Sequence, residues 1–429
     1  GALLWVPPMQ AIIFSATFWG SLITVVTTGR VIQRFGAKSV LAVSSAVSIA
    51  VTVSTPSLSE LSFVSLFAVR VLMGAAESFI VPSIGATAVR WIPPSERFVM
   101  MDMITSGNQL AASFSAVVTA ALCLSPIGWP LVYYFYATIA TVWLLAWIVL
   151  AANSPSESSL ISESEADFLA KTIQAKPQNP ERIPWRTMLT SKPFYACLCC
   201  QFAYIYTGTI MQGFLPTFIR DELLQPLSMN GLITLIPFGT MLIMKTLFGI
   251  LARRLNESKL STPTTRTECF QLICSIGCIL SMLSLGFLSS PDRLWISLLS
   301  LTIFGISFAA GIPGFAVSTQ SLSPQHGAII TQISAVVAVL AGICAPMVMW
   351  FIMTLKVNGV VDSIWKVAFT VACSLNLLAI VAFLIFGKGE NSWLIEIFDV
   401  FQLATKHGDV MRNREEREFT RAIKSRNLN

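Results

Sequence analysis

Long apolar stretches recur along this chain, and they limit the fold more than any other feature of the sequence. Each is about 20 residues long, the length that a helix needs to cross a bilayer. Only 12% of the residues are charged and 54% are hydrophobic, whereas soluble proteins carry about 25% charged residues. The stretches lack the alternating pattern of a transmembrane barrel, so helices are the remaining way to satisfy the backbone in lipid. The sequence therefore predicts an all-α, polytopic membrane protein.

Eleven such spans can be separated along the chain. They cover residues 9–28, 39–55, 61–87, 103–124, 130–152, 194–218, 231–251, 268–289, 294–317, 327–355 and 364–386. A polar segment rich in Ser, Pro and Glu divides them into groups of five and six. We therefore predict an N-terminal bundle, a cytoplasmic linker, a C-terminal bundle and a basic cytoplasmic tail, over 1–152, 153–193, 194–387 and 388–429.

The loops between the spans carry their positive charge unevenly. Fourteen lysines and arginines lie in the loops on one side of the membrane, against four on the other. The positive-inside rule places the richer side, together with the basic tail, in the cytoplasm. Gly1 then lies outside, and we expect a protein of twelve spans that lacks the first.

Several function classes lack the residues that they need. The two histidines, His326 and His407, form no H-x4-D pattern, which argues against a membrane enzyme such as an acyltransferase. The cysteines of CLCC have no second pair to complete a zinc site, so we expect no metal and no cofactor. No ring of acidic residues indicates a channel. The basic residues belong to the cytoplasmic side of the membrane, so they do not indicate nucleic acid as a partner. We expect the lipid bilayer and a small substrate as partners, and a monomer.

A weak internal repeat and a set of short motifs indicate a family. GRVIQRFGAKS from Gly29 and GILARRLNESK from Gly249 both place glycine and then arginine at the cytoplasmic end of a span, as in transporters built from two related bundles. The first segment resembles a loop motif of the major facilitator superfamily. With RVLMGAAES, RWIPPSER, SGNQLA, GWPLVYYFY, SPSE, PWRTMLTSKPFYA and LPTFIRDEL, the chain resembles the anion–cation symporters of solute carrier family 17 from Trp5 to about Gly389.

This resemblance implies a major facilitator fold of two helical bundles, with eleven of the family's twelve transmembrane helices present. It implies a secondary active transporter of small organic anions or phosphate, coupled to protons or sodium by alternating access. The alternative is a transport-inactive paralogue or a truncated fragment of such a carrier. Gly29, Arg34, Gly36 and Lys38 correspond to the family's conformational loop.

Two charged residues stand within the third span, where each charge costs about 3 kcal/mol or more. Arg70 and Glu77 are seven residues apart, which puts them on nearly the same helix face and about 10.5 Å apart along the axis. In one interpretation each is bonded to backbone carbonyls or to another helix. In the other, both face a central aqueous cavity, where Arg70 binds a carboxylate or phosphate and Glu77 carries a proton. The family resemblance implies the second.

Polar residues on other spans are further candidates for the cavity wall. Asn108 and Gln109 lie in SGNQLAA, and Gln201 and Tyr204 lie in CCQFAYIY. Each either binds substrate or makes a hydrogen bond between helices. The family often has His or Arg where Tyr204 stands, and tyrosine adds a hydrogen-bonding group without positive charge. Lys245 is expected to extend its side chain to the cytoplasmic interface, and a role in the site is the alternative.

Overall fold

Regular structure in this protein is helical throughout the residues that the computed structural model describes. These are residues 7–93, 97–158, 160–173, 185–258, 262–322 and 327–387. The prediction of an all-α polytopic membrane protein is confirmed.

The helices before the linker form the first bundle. They are α1 (Pro7–Val25), α2 (Thr28–Phe35), α3 (Ala37–Leu61), α4 (Phe63–Glu77), α5 (Ile80–Trp91), α6 (Arg97–Cys123) and α7 (Pro130–Leu150). Helix α2 is short and amphipathic, with Thr28 and Ile32 buried and Arg30 and Arg34 exposed. Helices α4 and α5 together make one membrane span, because the chain turns only slightly between them.

Short helices of the linker lead into the second bundle. They are a 3₁₀ turn at Pro155–Glu157, α8 (Glu163–Thr172) and α9 (Trp185–Thr190). The second bundle contains α10 (Lys192–Asp221), α11 (Leu227–Ser258), α12 (Pro263–Phe287), α13 (Leu294–Ala309), α14 (Val317–Ser321), α15 (Gly327–Val357) and α16 (Ile364–Phe386).

Ten segments of the described chain are long and apolar enough to cross a membrane. They coincide with ten of the eleven predicted spans. The remaining predicted span is α6, a helix of 27 residues. Its middle carries Asn108 and Gln109, and these two polar amides lower the hydropathy of that helix. Helix α6 nevertheless packs along α11 of the second bundle, as a spanning helix would.

Two helix pairs join the bundles to each other. Helix α1 packs against α15, and α6 packs against α11. In the second pair, a Cβ added at Gly231 of α11 would lie 2.8 Å from the carbonyl oxygen of Ala116. In the first pair, the Gln332 side-chain amide donates a hydrogen bond to the Val25 carbonyl oxygen at the end of α1. The boundary between the bundles is therefore closely packed along both pairs.

The span that contains α13 and α14 is interrupted in its last third. A π-helical turn occupies Ile312–Ala316, and Gly314 has a non-helical backbone with ψ of −110°. The side-chain oxygen of Gln271 accepts a hydrogen bond from the Phe315 amide at 3.3 Å. Because α12 supplies this acceptor, the break has a fixed partner on a neighbouring helix.

Candidate functional site

Small residues hold α4 closely against α1. A Cβ added at Gly20 or at Gly74 would collide with the backbone of the opposite helix. The hydroxyls of α1 donate hydrogen bonds across this contact, from Ser21 to the Gly74 carbonyl at 3.0 Å and from Thr24 to the Ala75 carbonyl at 3.1 Å. The packing of α1 on α4 therefore determines where the two charged residues of α4 lie.

Arg70 contacts a tyrosine of α7. Its Nη2 donates a hydrogen bond to the Tyr133 hydroxyl at 3.0 Å, and its guanidinium carbon lies 5.9 Å from the centre of the same ring. Nη1 faces the sulfur of Met73 at 3.8 Å. Nε is buried and has no hydrogen-bond partner among the described residues. The guanidinium therefore keeps one N–H group without an acceptor, and an anionic oxygen is suited to accept a hydrogen bond from it.

The guanidinium of Arg70 lines a cavity of about 360 Å³ between α1, α3, α4 and α7. We call it the arginine cavity, and Arg70 is the one charged side chain in its described lining. Its other polar walls are hydroxyls and an amide, from Gln10, Thr17, Thr55, Ser59 and Tyr133. This lining can surround a small anion with one cation and several hydrogen-bonding groups.

Glu77 is the last residue of α4, where the chain turns before α5. Arg70 and Glu77 belong to one unbroken helix, as the sequence predicted, and they form no ion pair with each other. The Glu77 side chain is exposed and does not line the arginine cavity. The structure therefore places the two charges at separate positions along α4.

A second cavity, of about 230 Å³, lies between the two bundles. We call it the central chamber. Asn108 and Gln109 of α6 line it from the first bundle, and Tyr204 and Gln212 of α10 line it from the second. The Gln109 side-chain oxygen is buried and has no hydrogen-bond partner among the described residues. A buried acceptor without a partner is costly unless water or a ligand supplies a donor.

Aromatic rings form part of the remaining wall of the central chamber. Tyr204 stacks on Phe308 with 3.9 Å between ring centres and 13° between ring planes. The ring of Phe315, beyond the break in the span, lies 5.3 Å from the same tyrosine. The broken segment therefore contacts a residue of the chamber wall directly.

A third cavity of about 430 Å³, which we call the outer chamber, lies beside the central chamber between α6, α10 and α11. The two share Asn108, Gln212 and Phe238 in their linings. The outer chamber adds Ser115, Thr119, Asn230 and Thr234. In the described linings of both chambers the polar groups are amides, hydroxyls and a phenol, without a charged side chain.

The structure brings together some of the predicted site residues but not all. Asn108, Gln109 and Tyr204 share the central chamber, whereas Gln201 lines neither chamber. Arg70 lies in the arginine cavity on the other side of α1. On this helix Thr17 faces the arginine cavity, and its neighbour Phe18 faces the central chamber.

Among the cavity residues that were not predicted as site residues are Tyr133 and Phe308. Tyr133 stands in the aromatic run YYFY, where nothing in the sequence distinguishes it from its neighbours.

The prediction for Lys245 is wrong, because its side chain is only 2% exposed and cannot extend to the cytoplasmic interface. The direction of a lysine side chain depends on the helix face that carries it. Helix α11 packs against α6 and α13, and the face with Lys245 is buried.

The predicted conformational loop forms α2 and the start of α3. Gly36 joins the two helices with a φ of +81°, which favours glycine. The Lys38 amide donates to the Asn153 side-chain oxygen at 3.0 Å, and the Trp147 indole donates to the Lys38 carbonyl at 3.2 Å. The loop is thereby tied to the end of α7 and the start of the linker. Gly29 and Arg34 are both exposed on α2.

The chain matches known carriers over most of its length. Residues 2–346 match the family model described as Major Facilitator Superfamily. The chain is 32% identical to the uncharacterized transporter slc-17.3 of Caenorhabditis elegans, covering 91% of this chain and 73% of that protein. It is 26% identical to the chloroplastic sodium-dependent phosphate transport protein 1 of Arabidopsis thaliana, covering 90% of this chain and 73% of the other.

A solved structure supports the same fold. The crystal structure of a D-xylose-proton symporter superposes with a TM-score of 0.69 at 13% sequence identity, covering 90% of this chain and 89% of the symporter. The family model and these relatives identify a multi-pass membrane transporter. The chain belongs to the major facilitator superfamily and, within it, to solute carrier family 17.

Proposed function

We propose that this protein is a secondary active transporter that moves a small organic anion or phosphate through the central chamber by alternating access, driven by protons or sodium. The observation that carries the proposal is the central chamber itself, with polar side chains from both bundles and an unpartnered Gln109 oxygen. A site shared by two bundles changes its accessibility when the bundles rock against each other.

Arg70 is the proposed binding group for the negative charge of the substrate. It supplies the fixed positive charge of the arginine cavity and an unused Nε donor. In this proposal the substrate anion takes the place of the Tyr133 hydroxyl on the guanidinium. Since guanidinium binds carboxylate and phosphate in a bidentate manner, the exchange of one neutral acceptor for an anion is favourable.

The proposed proton carrier is Glu77. Its carboxyl group can be protonated or ionised as access alternates, and it lies on the helix that carries Arg70. Sodium is the other candidate coupling ion, and the phosphate relative is described as sodium-dependent.

Asn108, Gln109 and Tyr204 are proposed to bind the uncharged part of the substrate by hydrogen bonding and ring stacking. Gln201 remains a proposed site residue one turn of α10 away from Tyr204. Because the chambers lack charged side chains in their described linings, the chamber residues contribute orientation rather than charge neutralisation.

The test is uptake by proteoliposomes that contain the full-length protein. Labelled phosphate, glutamate, sialic acid and ascorbate are offered under imposed pH or sodium gradients, with Asn108→Ala and Gln109→Ala beside the wild type. We expect saturable uptake of one anion above protein-free liposomes, dependent on one gradient, with a raised KM in both variants. Absence of gradient-driven uptake for every anion contradicts the proposal. Uptake with an unchanged KM in both variants would show that the central chamber does not bind the substrate.

A further inference from the structure

An apolar cavity lies away from both chambers. It has a volume of about 470 Å³ and is lined by the end of α1, by α2, by the first half of α3 and by the second half of α4. We call it the apolar groove. Its lining is almost wholly hydrocarbon and includes Val31, Phe35, Val43, Leu72, Ala75 and Ala76.

The apolar groove opens toward the bilayer. An α-helix turns by about 100° per residue, so on α4 the groove residues Leu72 and Ala75 lie roughly opposite the face that carries Arg70 and Glu77. Leu72 is 52% exposed and Val43 is 64% exposed, although both belong to membrane spans. Side chains with this character and exposure contact lipid chains rather than water.

Positively charged residues lie beside one end of the groove, which we call its mouth. The Arg34 guanidinium lies 5.4 Å from the centre of the Phe35 ring, and Phe35 is part of the groove lining. Arg30 is exposed one turn earlier on α2, and Lys38 follows at the start of α3. The first acidic residue of the whole sequence is Glu60, near the opposite end of α3. The mouth therefore carries several cations of α2 and α3 without an acidic neighbour in these helices.

We propose that the apolar groove and its basic mouth bind an anionic phospholipid of the cytoplasmic leaflet. One acyl chain fills the groove between α1, α3 and α4, and the phosphate is bound by Arg30, Arg34 and Lys38. The loop charges place this mouth on the cytoplasmic side, where the leaflet carries anionic lipids that attract basic residues near the surface. Bound lipid joins α2 to α4 and so stabilises the conformational loop. This inference concerns a bilayer-facing site and does not depend on what the central chamber transports.

The experiment measures lipid binding to the full-length protein purified in a neutral detergent. Dioleoyl phosphatidylglycerol and dioleoyl phosphatidylcholine are titrated separately, with bound lipid counted by native mass spectrometry and stability followed by Tm. We expect phosphatidylglycerol to bind more tightly and to raise Tm more than phosphatidylcholine. Glycerol phosphate, which offers the same charge without acyl chains, is expected to leave Tm unchanged.

Two kinds of variant separate the headgroup contact from the chain contact. The double variant Arg30→Gln and Arg34→Gln is expected to weaken phosphatidylglycerol binding by about fivefold per removed charge, leaving phosphatidylcholine binding unchanged. Val43→Trp fills the groove without changing charge and is expected to abolish the stabilisation. Val43 is an exposed residue, so lipid-free Tm and size-exclusion profile are expected to match the wild type.

The matched controls are Arg220→Gln, an exposed cation on the opposite side, and Val64→Trp, an exposed apolar residue outside the groove. Both controls are expected to keep wild-type lipid binding. The inference is overturned if the two lipids bind alike, if Val43→Trp retains the stabilisation, or if Arg220→Gln weakens binding as much as the changes on α2. Stabilisation by glycerol phosphate alone also overturns it, because an anion site would then exist without the groove.

Discussion

At the residue scale, the guanidinium of Arg70 uses only some of its hydrogen-bond donors. Its Nη2 is bonded to the Tyr133 hydroxyl, whereas its buried Nε has no partner among the described residues. Hydrogen bonds to a charged group contribute about 1.5–3 kcal/mol each, so an anion that replaces the tyrosine hydroxyl and also accepts from Nε is bound favourably. The tyrosine keeps the guanidinium in place while no anion is bound.

We expect Arg70→Ala to abolish uptake in proteoliposomes while surface expression and monodispersity are retained. Arg70→Lys should fail to restore uptake, because an ammonium is a point charge and cannot reproduce the planar fork. Tyr133→Phe is the matched control: it removes only the competing acceptor, and the KM should fall or stay unchanged. Uptake by Arg70→Ala with a wild-type KM would assign Arg70 to structure alone.

Glu77→Gln tests the coupling proposal. Glutamine mimics the protonated acid permanently, so accumulation driven by a pH gradient should stop while substrate exchange across the membrane continues. Both quantities are measured in the same vesicles, with labelled substrate outside and unlabelled substrate inside for the exchange assay. If Glu77→Gln still accumulates substrate under a pH gradient, the proton is carried elsewhere or sodium is the coupling ion.

At the scale of helices, glycines determine how closely neighbouring helices approach. Gly20 and Gly74 let α1 and α4 touch through their backbones, and the hydroxyls of Ser21 and Thr24 bond across that contact. Small residues and interhelical hydrogen bonds are the usual way to pack helices in lipid, where apolar surface alone gives little preference.

We expect Gly74→Ala to destabilise the protein by about 1–3 kcal/mol, since the added methyl group meets the Thr17 backbone rather than a flexible side chain. Gly85→Ala on α5 is the control, because nothing lies within 4 Å of the added carbon. Alanine there should be neutral or stabilising by up to about 1 kcal/mol. Thermal unfolding in detergent measures both, and equal Tm values for the two variants would contradict the packing of α1 on α4.

The break at Gly314 is a second feature at this scale. A Cβ at Gly314 would lie 3.0 Å from the backbone nitrogen and side-chain oxygen of Gln271. We expect Gly314→Ala to lower Tm and to weaken substrate binding, because the displaced segment carries Phe315 against Tyr204. Gln271→Leu should reproduce the effect by removing the acceptor for the Phe315 amide. An unchanged KM in both variants would show that the break at Gly314 does not affect substrate binding in the central chamber.

At the scale of the whole molecule, the two bundles meet along α1 with α15 and along α6 with α11. The central chamber lies between the helices of both bundles, and the arginine cavity lies within the first. An alternating-access cycle that brings the anion from the chamber to Arg70 therefore has to move α1, which separates the two cavities.

The membrane orientation gives a direct test at this scale. We expect a cysteine at Gln33, in the conformational loop, to be labelled by an impermeant maleimide only from the cytoplasmic side. A cysteine at Asn358, between α15 and α16, should be labelled only from outside. Both residues are exposed, and the measurement uses sealed membranes in a variant without its native exposed cysteines. Labelling of both positions from one side would contradict the arrangement of spans.

The sequence by itself determined the class of protein and the sites of its spans, and it predicts their orientation. These depend on the length of each apolar stretch and on loop charges, which are local properties. Short motifs such as RVLMGAAES and RWIPPSER were also sufficient to indicate the family that the comparisons confirm. The polar amides Asn108 and Gln109 stood out within an apolar helix for the same local reason.

Only the tertiary structure decided which side chains share a cavity. It placed Arg70 behind α1 with Tyr133, away from Tyr204, and it buried Lys245 instead of extending it to the interface. The physical reason is that a helix that is apolar on all sides has no preferred face in its sequence. Its rotation is determined by close contacts such as Gly74 on Thr17, which join residues far apart in the chain.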